Sequence, residues 1–263
     1  MARTERQPGS VSSRSDLSRP DVSIIIPARN EERWLTGTLD AALRAVEHFH
    51  GTIGGEPRAA EIIVVDNESD DGTWPLLEHY AAQRAVRPVR FSARGAARAR
   101  NHGRRHAHGR ILVFVDADTQ IPVEAISRMV THCDSGEKEA GITALAGLDG
   151  GFRAWCWWQF WGHVRRLPLP KAKAMPACMF CTASAFDEFG PFDEGVAIGE
   201  EWPILASVYR ARPGRFVYDR SIVALTSSRR MDRQRFGYLR TFFKYVWAIL
   251  DHAGRVHYTD RIR

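Results

Sequence analysis

The sequence predicts an α/β fold: a mostly parallel central sheet covered by helices, with an aromatic-rich helix near the C-terminus. Three observations predict it. Short runs rich in Val and Ile recur from Val22 onward, amphipathic stretches of helical length separate them, and polar or acidic residues stand directly after the runs. Apolar runs without polar alternation suit strands buried on both faces, as parallel sheets require. Such sheets gather their chemistry at the carboxyl ends of the strands, where these polar residues fall.

Residues 1–20 contain five Ser, two Pro, four Arg and a single Leu. They cannot bury enough apolar surface to offset ordering and are expected to be a disordered tail. Strands are then expected over 22–26, 61–65, 88–91 and 111–115, with helices over 31–49, 71–84 and 96–108 between them. A further helix should run from Pro122, placed near its first turn, to Cys133, and a strand over 141–148. Four of the eight tryptophans fall at Trp155, Trp157, Trp158 and Trp161, followed by His163, Arg165, Arg166 and a Pro-Leu-Pro break. Residues 180–189 and 199–210 read as helical or mixed, 215–218 as a short strand, and 231–250 as a long aromatic-rich helix. The expected organisation is a tail over 1–20, one domain over 21–230 with halves at about 21–120 and 121–230, and a basic amphipathic helical segment over 231–263. No repeat at solenoid spacing is present.

With 263 residues and 44% hydrophobic content the chain can bury a sizeable core. No stretch approaches the roughly 18 to 20 apolar residues that span a bilayer, and no apolar signal core follows the N-terminal arginines. The expectation is a cytoplasmic protein. Four cysteines form no framework in a chain this long, and Cys178-x-x-Cys181 lacks the second Cys or His pair that a zinc site needs. Residues 228–263 carry nine Arg or Lys against three acids, which equals the whole net charge of +6. Basicity concentrated beside aromatic residues points to phosphates or an anionic membrane surface, and hence to a peripheral position at the inner face of the membrane. Nucleic acid is not expected as a partner.

Asp116-Ala117-Asp118 directly follows the run Ile111–Val115. Two carboxylates two residues apart on an extended chain point the same way and can share a hard divalent cation whose other ligands are phosphate oxygens. The first strand ends in Pro27-Ala28-Arg29-Asn30-Glu31-Glu32, and the second in Asp66-Asn67-Glu68-Ser69-Asp70-Asp71-Gly72-Thr73. Asp66 can accept a base or ribose proton, whereas at least one of Asp70 and Asp71 is read as a helix cap. Arg94-Gly95-Ala96-Ala97-Arg98-Ala99-Arg100-Asn101 opens a helix, where free N–H groups and arginine forks suit phosphate; Arg94 and Arg98 are the candidates. A solvated basic helix face is the competing reading.

P-A-R-N-E-E, V-V-D-N-E-S-D-D-G-T, G-A-A-R-A-R-N-H-G and F-V-D-A-D-T, in this order, resemble the nucleotide-sugar half of family-two glycosyltransferases of the GT-A fold. The resemblance covers roughly residues 22 to 230. It implies that Pro27, Asn30, Glu31 and Asp66 line the nucleoside site, and that Asp116 and Asp118 serve ribose, diphosphate and Mn2+ or Mg2+, with Asp118 the direct metal ligand. It implies a nucleotide-sugar donor, UDP-linked in the first place and GDP-linked in the second. Phe192-Asp193-Glu194 is followed by Gly199-Glu200-Glu201-Trp202, where family members carry an acidic pair that includes the catalytic base. The family pattern has Asp second, so Glu201 departs from it; the assignment stays between Glu201, which is favoured, and Glu200. Thr226-Ser227-Ser228-Arg229-Arg230 also resembles a family segment, with Arg229 and Arg230 placed to hold the diphosphate. Other members present a His metal ligand there, and none is evident here.

The implied reaction is inverting transfer to an acceptor hydroxyl, metal-assisted, with a Glu base and no covalent intermediate. A haloacid-dehalogenase phosphatase fits poorly, because Gln120 occupies the fifth position of the Asp-x-Asp-x-Thr or Val pattern and the motif comes after three earlier strands. A nucleotidyltransferase or a non-catalytic nucleotide-sugar-binding protein are the alternatives. The tryptophan cluster and the helix of 236–250 read first as core packing, then as a membrane interface suited to a lipid-linked acceptor, then as a platform stacking on sugar rings.

Overall fold

The structure, a computed structural model, describes residues 20–52, 58–83, 86–148, 151–173, 177–196, 199–229, 242, 243, 246 and 247. Along the chain run β1 (Val22–Ala28), α1 (Leu35–Thr52), β2 (Ala60–Asp66), α2 (Thr73–Ala82), β3 (Arg87–Arg90), α3 (Ala96–His106) and β4 (Ile111–Val115). They continue with β5 (Thr119–Gln120), α4 (Ala125–Asp134), β6 (Ala140–Gly147), α5 (Phe152–Val164), β7 (Cys178–Thr182), α6 (Ala183–Phe189), α7 (Trp202–Ala211) and β8 (Phe216–Thr226). The sheet order is β3-β2-β1-β4-β7-β6-β8-β5.

The expected parallel layer is present: β1 pairs in parallel with β2 and β4, and β2 with β3. Strand periodicity places alternate residues on opposite faces, and both faces are covered. Ile24 and Ile26 pack toward α1 and α4 through Leu35, Leu39, Ile126 and Met129, whereas Ile25, Ile63 and Phe114 pack toward α3, α6 and α7 through Ala99, Phe186 and Leu205. Small residues let α3 lie close against the sheet. A side chain at Gly103 would overlap Ile25.

Several expectations are sharpened or corrected. Residues 180–189, expected as helical or mixed, are mixed: 178–182 form β7, antiparallel to both β4 and β6, and the helix begins at Ala183. Cys178 and Phe180 enter one core layer and Met179 and Cys181 the other, the period of a strand buried on both faces. The two cysteines of the C-x-x-C therefore face opposite layers and cannot chelate together. Burial pushes the Cys178 thiol up to about 12 and the Cys181 thiol up as well.

Helix α1 starts at Leu35, not Glu31, because 29–34 form a turn fastened to the loop after β2. The short strand expected at 215–218 is the first part of an eleven-residue β8. Its register against β6 shifts between Thr143 and Ala144, opposite the polar Asp219-Arg220-Ser221, which hides its length in the sequence. Strand β5 was not expected and pairs with the end of β8.

The tryptophan cluster forms α5, which buries Trp161, half-buries Trp157 and Trp158 and exposes Trp155. The expected 231–250 helix lies outside the described residues apart from Phe242, Phe243, Val246 and Trp247, which are helical. The expected tail lies outside them apart from Pro20. Among the described residues no helix is long and apolar enough to cross a membrane.

Candidate active site at the carboxyl edge of the sheet

The Asp116–Asp118 turn sits between β4 and β5, and neighbouring segments hold its backbone. Asp116 N–H donates to the Ala177 carbonyl (2.9 Å), Thr119 N–H to the Asp116 carbonyl (3.0 Å), and Ser227 N–H to the Asp118 carbonyl (3.1 Å). The Thr38 hydroxyl donates to the Ala117 carbonyl (2.8 Å), and the Thr119 and Thr226 hydroxyls meet at 2.9 Å. A turn anchored from α1, β7 and β8 presents both carboxylates in fixed positions.

Two arginines bind the acids into two groups. Arg100 of α3 donates to Asp116 Oδ1 at 2.5 Å and to Glu200 Oε1. Burial opposes the Arg100 charge, but Glu200 and Asp116 outweigh it and hold the guanidinium pKa above its ordinary value. Glu201, buried beside this pair, adds to the same field. Arg229 grips Glu31 through both guanidinium nitrogens, one at 2.7 Å from Oε2, and lies 3.2 Å from Asp118 Oδ2. Its guanidinium carbon stands 5.8 Å from the Trp34 ring. Predicted residues from four segments thus converge: Glu31, Asp116 with Asp118, Glu200 with Glu201, and Arg229.

Asp66 ends β2 opposite Ala28 and is only 5% exposed, yet its Oδ1 has no hydrogen-bond partner. A buried carboxylate oxygen left unpaired is costly unless something else supplies a donor. Pro27 sits beside it on β1, opposite Val65. Asn67, next to Asp66, shapes the neighbouring loop: its Nδ2 donates to the Phe91 and Ala93 carbonyls, and its Oδ1 accepts from Gly95 N–H.

Other predicted residues are engaged differently. Asn30, at φ 56°, clasps the two strand-end loops together: its N–H donates to Ser69 Oγ and its Oδ1 accepts from Asp70 N–H. Asp71 lies one residue before Gly72, which occupies the N-cap position of α2, and its carboxylate accepts from the N–H of the first helical residue, Thr73, at 2.9 Å. Arg94 pairs with Glu68 and is 67% exposed, and Arg98 pairs with Glu194 at 3.5 Å, so neither joins the acidic groups in this conformation. Arg230 lies outside the described residues.

Arg100 is the site residue that sequence reasoning missed. The available signal was its setting in Ala97, Ala99, Asn101 and Gly103, small or buried residues that hold α3 against the sheet. Asn101 then fixes the approach to the acidic pair, donating to the Phe192 carbonyl (3.0 Å) while its Oδ1 accepts from Phe192 N–H (2.9 Å). Gly199, at φ +85°, leads into Glu200 where a side chain would overlap Trp202.

Among the described residues no three His, Cys, Asp or Glu groups are arranged as a complete metal site. The donor set at Asp116 and Asp118 still suits a hard cation that takes one or two carboxylates from protein and the rest from phosphate and water. The arginines at these carboxylates show that the turn is built to face positive charge.

Residues 23–188 match the family described as Glycosyl transferase family 2. A dolichol-phosphate mannosyltransferase of Pyrococcus furiosus is 30% identical over 119 residues, which span 44% of this chain and 30% of that protein. The chain thus spans less than half of that relative's length. The mannosyltransferase PcManGT from Pyrobaculum calidifontis, solved with GDP-Man and Mn2+, superposes with a TM-score of 0.60 at 22% identity over 89% of this chain and 66% of that one. Staphylococcus aureus TarS, solved with UDP-GlcNAc, gives 0.53 at 17% identity over 79% and 56%. These likenesses establish the shared GT-A fold. On the match across 23–188, the chain belongs to glycosyl transferase family 2.

Proposed function

We propose that the protein is an inverting glycosyltransferase that moves a sugar from a nucleotide-diphosphate sugar to an acceptor hydroxyl. The observation that carries this reading is the gathering of Glu31, Asp116, Asp118 and Glu200 around Arg100 and Arg229 at one edge of the sheet. Asp66, with its unpaired buried oxygen, is the group that receives a donor hydrogen of the nucleoside. Asp118, with Asp116 beside it, would hold Mn2+ or Mg2+, which when bound offsets charge developing on the leaving diphosphate. Arg229 is close enough to transfer from Glu31 and Asp118 to the diphosphate oxygens, for which its fork is well matched.

Glu200 is ion-paired with Arg100. Glu201, the acid favoured from the resemblance, is assigned to take the hydroxyl proton as the oxygen attacks the anomeric carbon from the face opposite the diphosphate. UDP and GDP sugars are both candidates, since relatives of this fold were solved with each. A lipid-linked or sugar acceptor is proposed, the former in line with the dolichol-phosphate relative.

The test is calorimetric titration with UDP and GDP, with and without Mn2+, followed by a sugar screen on the nucleotide that binds. Metal-dependent binding of one nucleotide is expected, and Glu201→Gln should keep that binding while transfer falls by about 100-fold or more. Binding of neither nucleotide would overturn the donor site. Full transfer by Glu201→Gln would move the base elsewhere.

A further inference from the structure

Helix α5 is aromatic around its whole circumference, yet it lies at the surface. Its inner side is explained by packing: Ala154 and Trp161 are buried, and Trp158 Nε1 donates to Ser228 Oγ at 3.2 Å, one residue before Arg229 of the site. Its outer side is not. Phe152 is 77% exposed and Trp155 58%, the two rings stacked on each other 5.8 Å apart, and Phe160 is also exposed. The C-terminal segment extends this face. Phe242 packs on Phe160 and Trp161 from one side and touches Phe243 on the other, leaving Phe243 64% and Trp247 59% exposed. Contiguous exposed aromatic surface on this scale marks an interaction site.

The charge around it selects the occupant. No Asp or Glu occurs from 150 to 186, while the exposed Arg153 and Arg166 and the half-buried Lys171 do; Arg165 and Lys173 are buried and take no part in this surface. Aromatic rings bordered by cations and free of carboxylates suit the headgroup region of an anionic bilayer, where rings lie at the boundary and cations meet phosphate. Among the described residues no helix is long and apolar enough to cross a membrane.

We infer that the outer face of α5, with Phe243 and Trp247, seats the protein on an anionic lipid surface, placing the mouth of the site beside it. The inner side of the same helix touches Ser228, which ties the face to the segment that carries Arg229. The inference deepens the proposed use of a lipid-linked acceptor but does not depend on the transfer chemistry.

The test is flotation of the full chain with vesicles of phosphatidylglycerol and phosphatidylcholine in equal parts, against phosphatidylcholine alone. Binding to the anionic vesicles at low salt is expected, about tenfold or more weaker at high salt and in Phe152→Ser/Trp155→Ser. Both substituted side chains are exposed, so an unchanged circular dichroism spectrum and unchanged nucleotide binding should accompany the loss. Absence of anionic-vesicle binding, or equal binding by the double variant, overturns the inference. So does a lipid-free dimer that the double substitution abolishes, which would place a second copy on this face, or retention by a soluble polyphosphate without vesicle binding. Nucleotide titration without lipid reports on the donor site separately.

Discussion

Asp66 and Arg229 make opposite demands on the ligands of the site. The unpaired Asp66 oxygen lacks a donor, so Asp66→Asn should leave the fold intact but weaken the nucleotide that binds by about tenfold, measured calorimetrically. Arg229 already supplies positive charge to Asp118, so Arg229→Ala should tighten Mn2+ alone by about threefold or more and weaken the nucleoside diphosphate. Equal metal affinity in the two proteins would show that the pair does not compete with the cation. Asp66, Asp116 and Asp118 were legible because a polar residue directly after a buried strand has few structural uses. Arg100 was not, because an arginine's partners depend on where residues distant in sequence are brought, and Glu200 lies one hundred positions away.

At the scale of elements, α3 does most to assemble the site. Its small residues seat it against β1 and β2, and Asn101 fastens it to the segment leading to Glu200. Asn101→Ala would leave the buried Phe192 N–H and carbonyl unpaired and should lower stability by about 1–3 kcal/mol in urea unfolding. A loss in transfer exceeding that in nucleotide binding should accompany it. The first five expected strands agree with the observed ones within two residues at each end; β1, β2 and β4 follow continuous apolar runs, whereas β3 is the edge strand Arg-Pro-Val-Arg. The later elements were harder to read. The C-M-F-C-T run is too short for periodicity to separate strand from helix, and its assignment to β7 comes from pairing with β4 and β6 on either side.

The whole molecule draws on carboxylates outside the site. Burial alone would raise the pKa of Asp71, Glu139 and Asp219, but hydrogen bonds from Thr73, from Arg212 and Arg215, and from Ser221 and His132 outweigh it and hold each below its ordinary value. A depressed carboxylate contributes stability that is complete above the unfolded-chain value of about 4 and is lost as pH falls through the folded one. The urea midpoint should therefore drop on acidification below that range, and Asp219→Asn should flatten the drop; an unchanged slope would remove Asp219 from the account. By itself the sequence determined the parallel nucleotide-side layer, the acidic turn after β4 and the aromatic character of α5, because local pattern suffices for a buried strand, a strand-end carboxylate or an amphipathic stretch. Only the tertiary structure decided the antiparallel insertion of β7, the partners of Arg100 and Arg229 and the division of α5 into buried and exposed aromatic sides. Those depend on which distant segments share an edge of the sheet, and spacing along the chain does not carry that information.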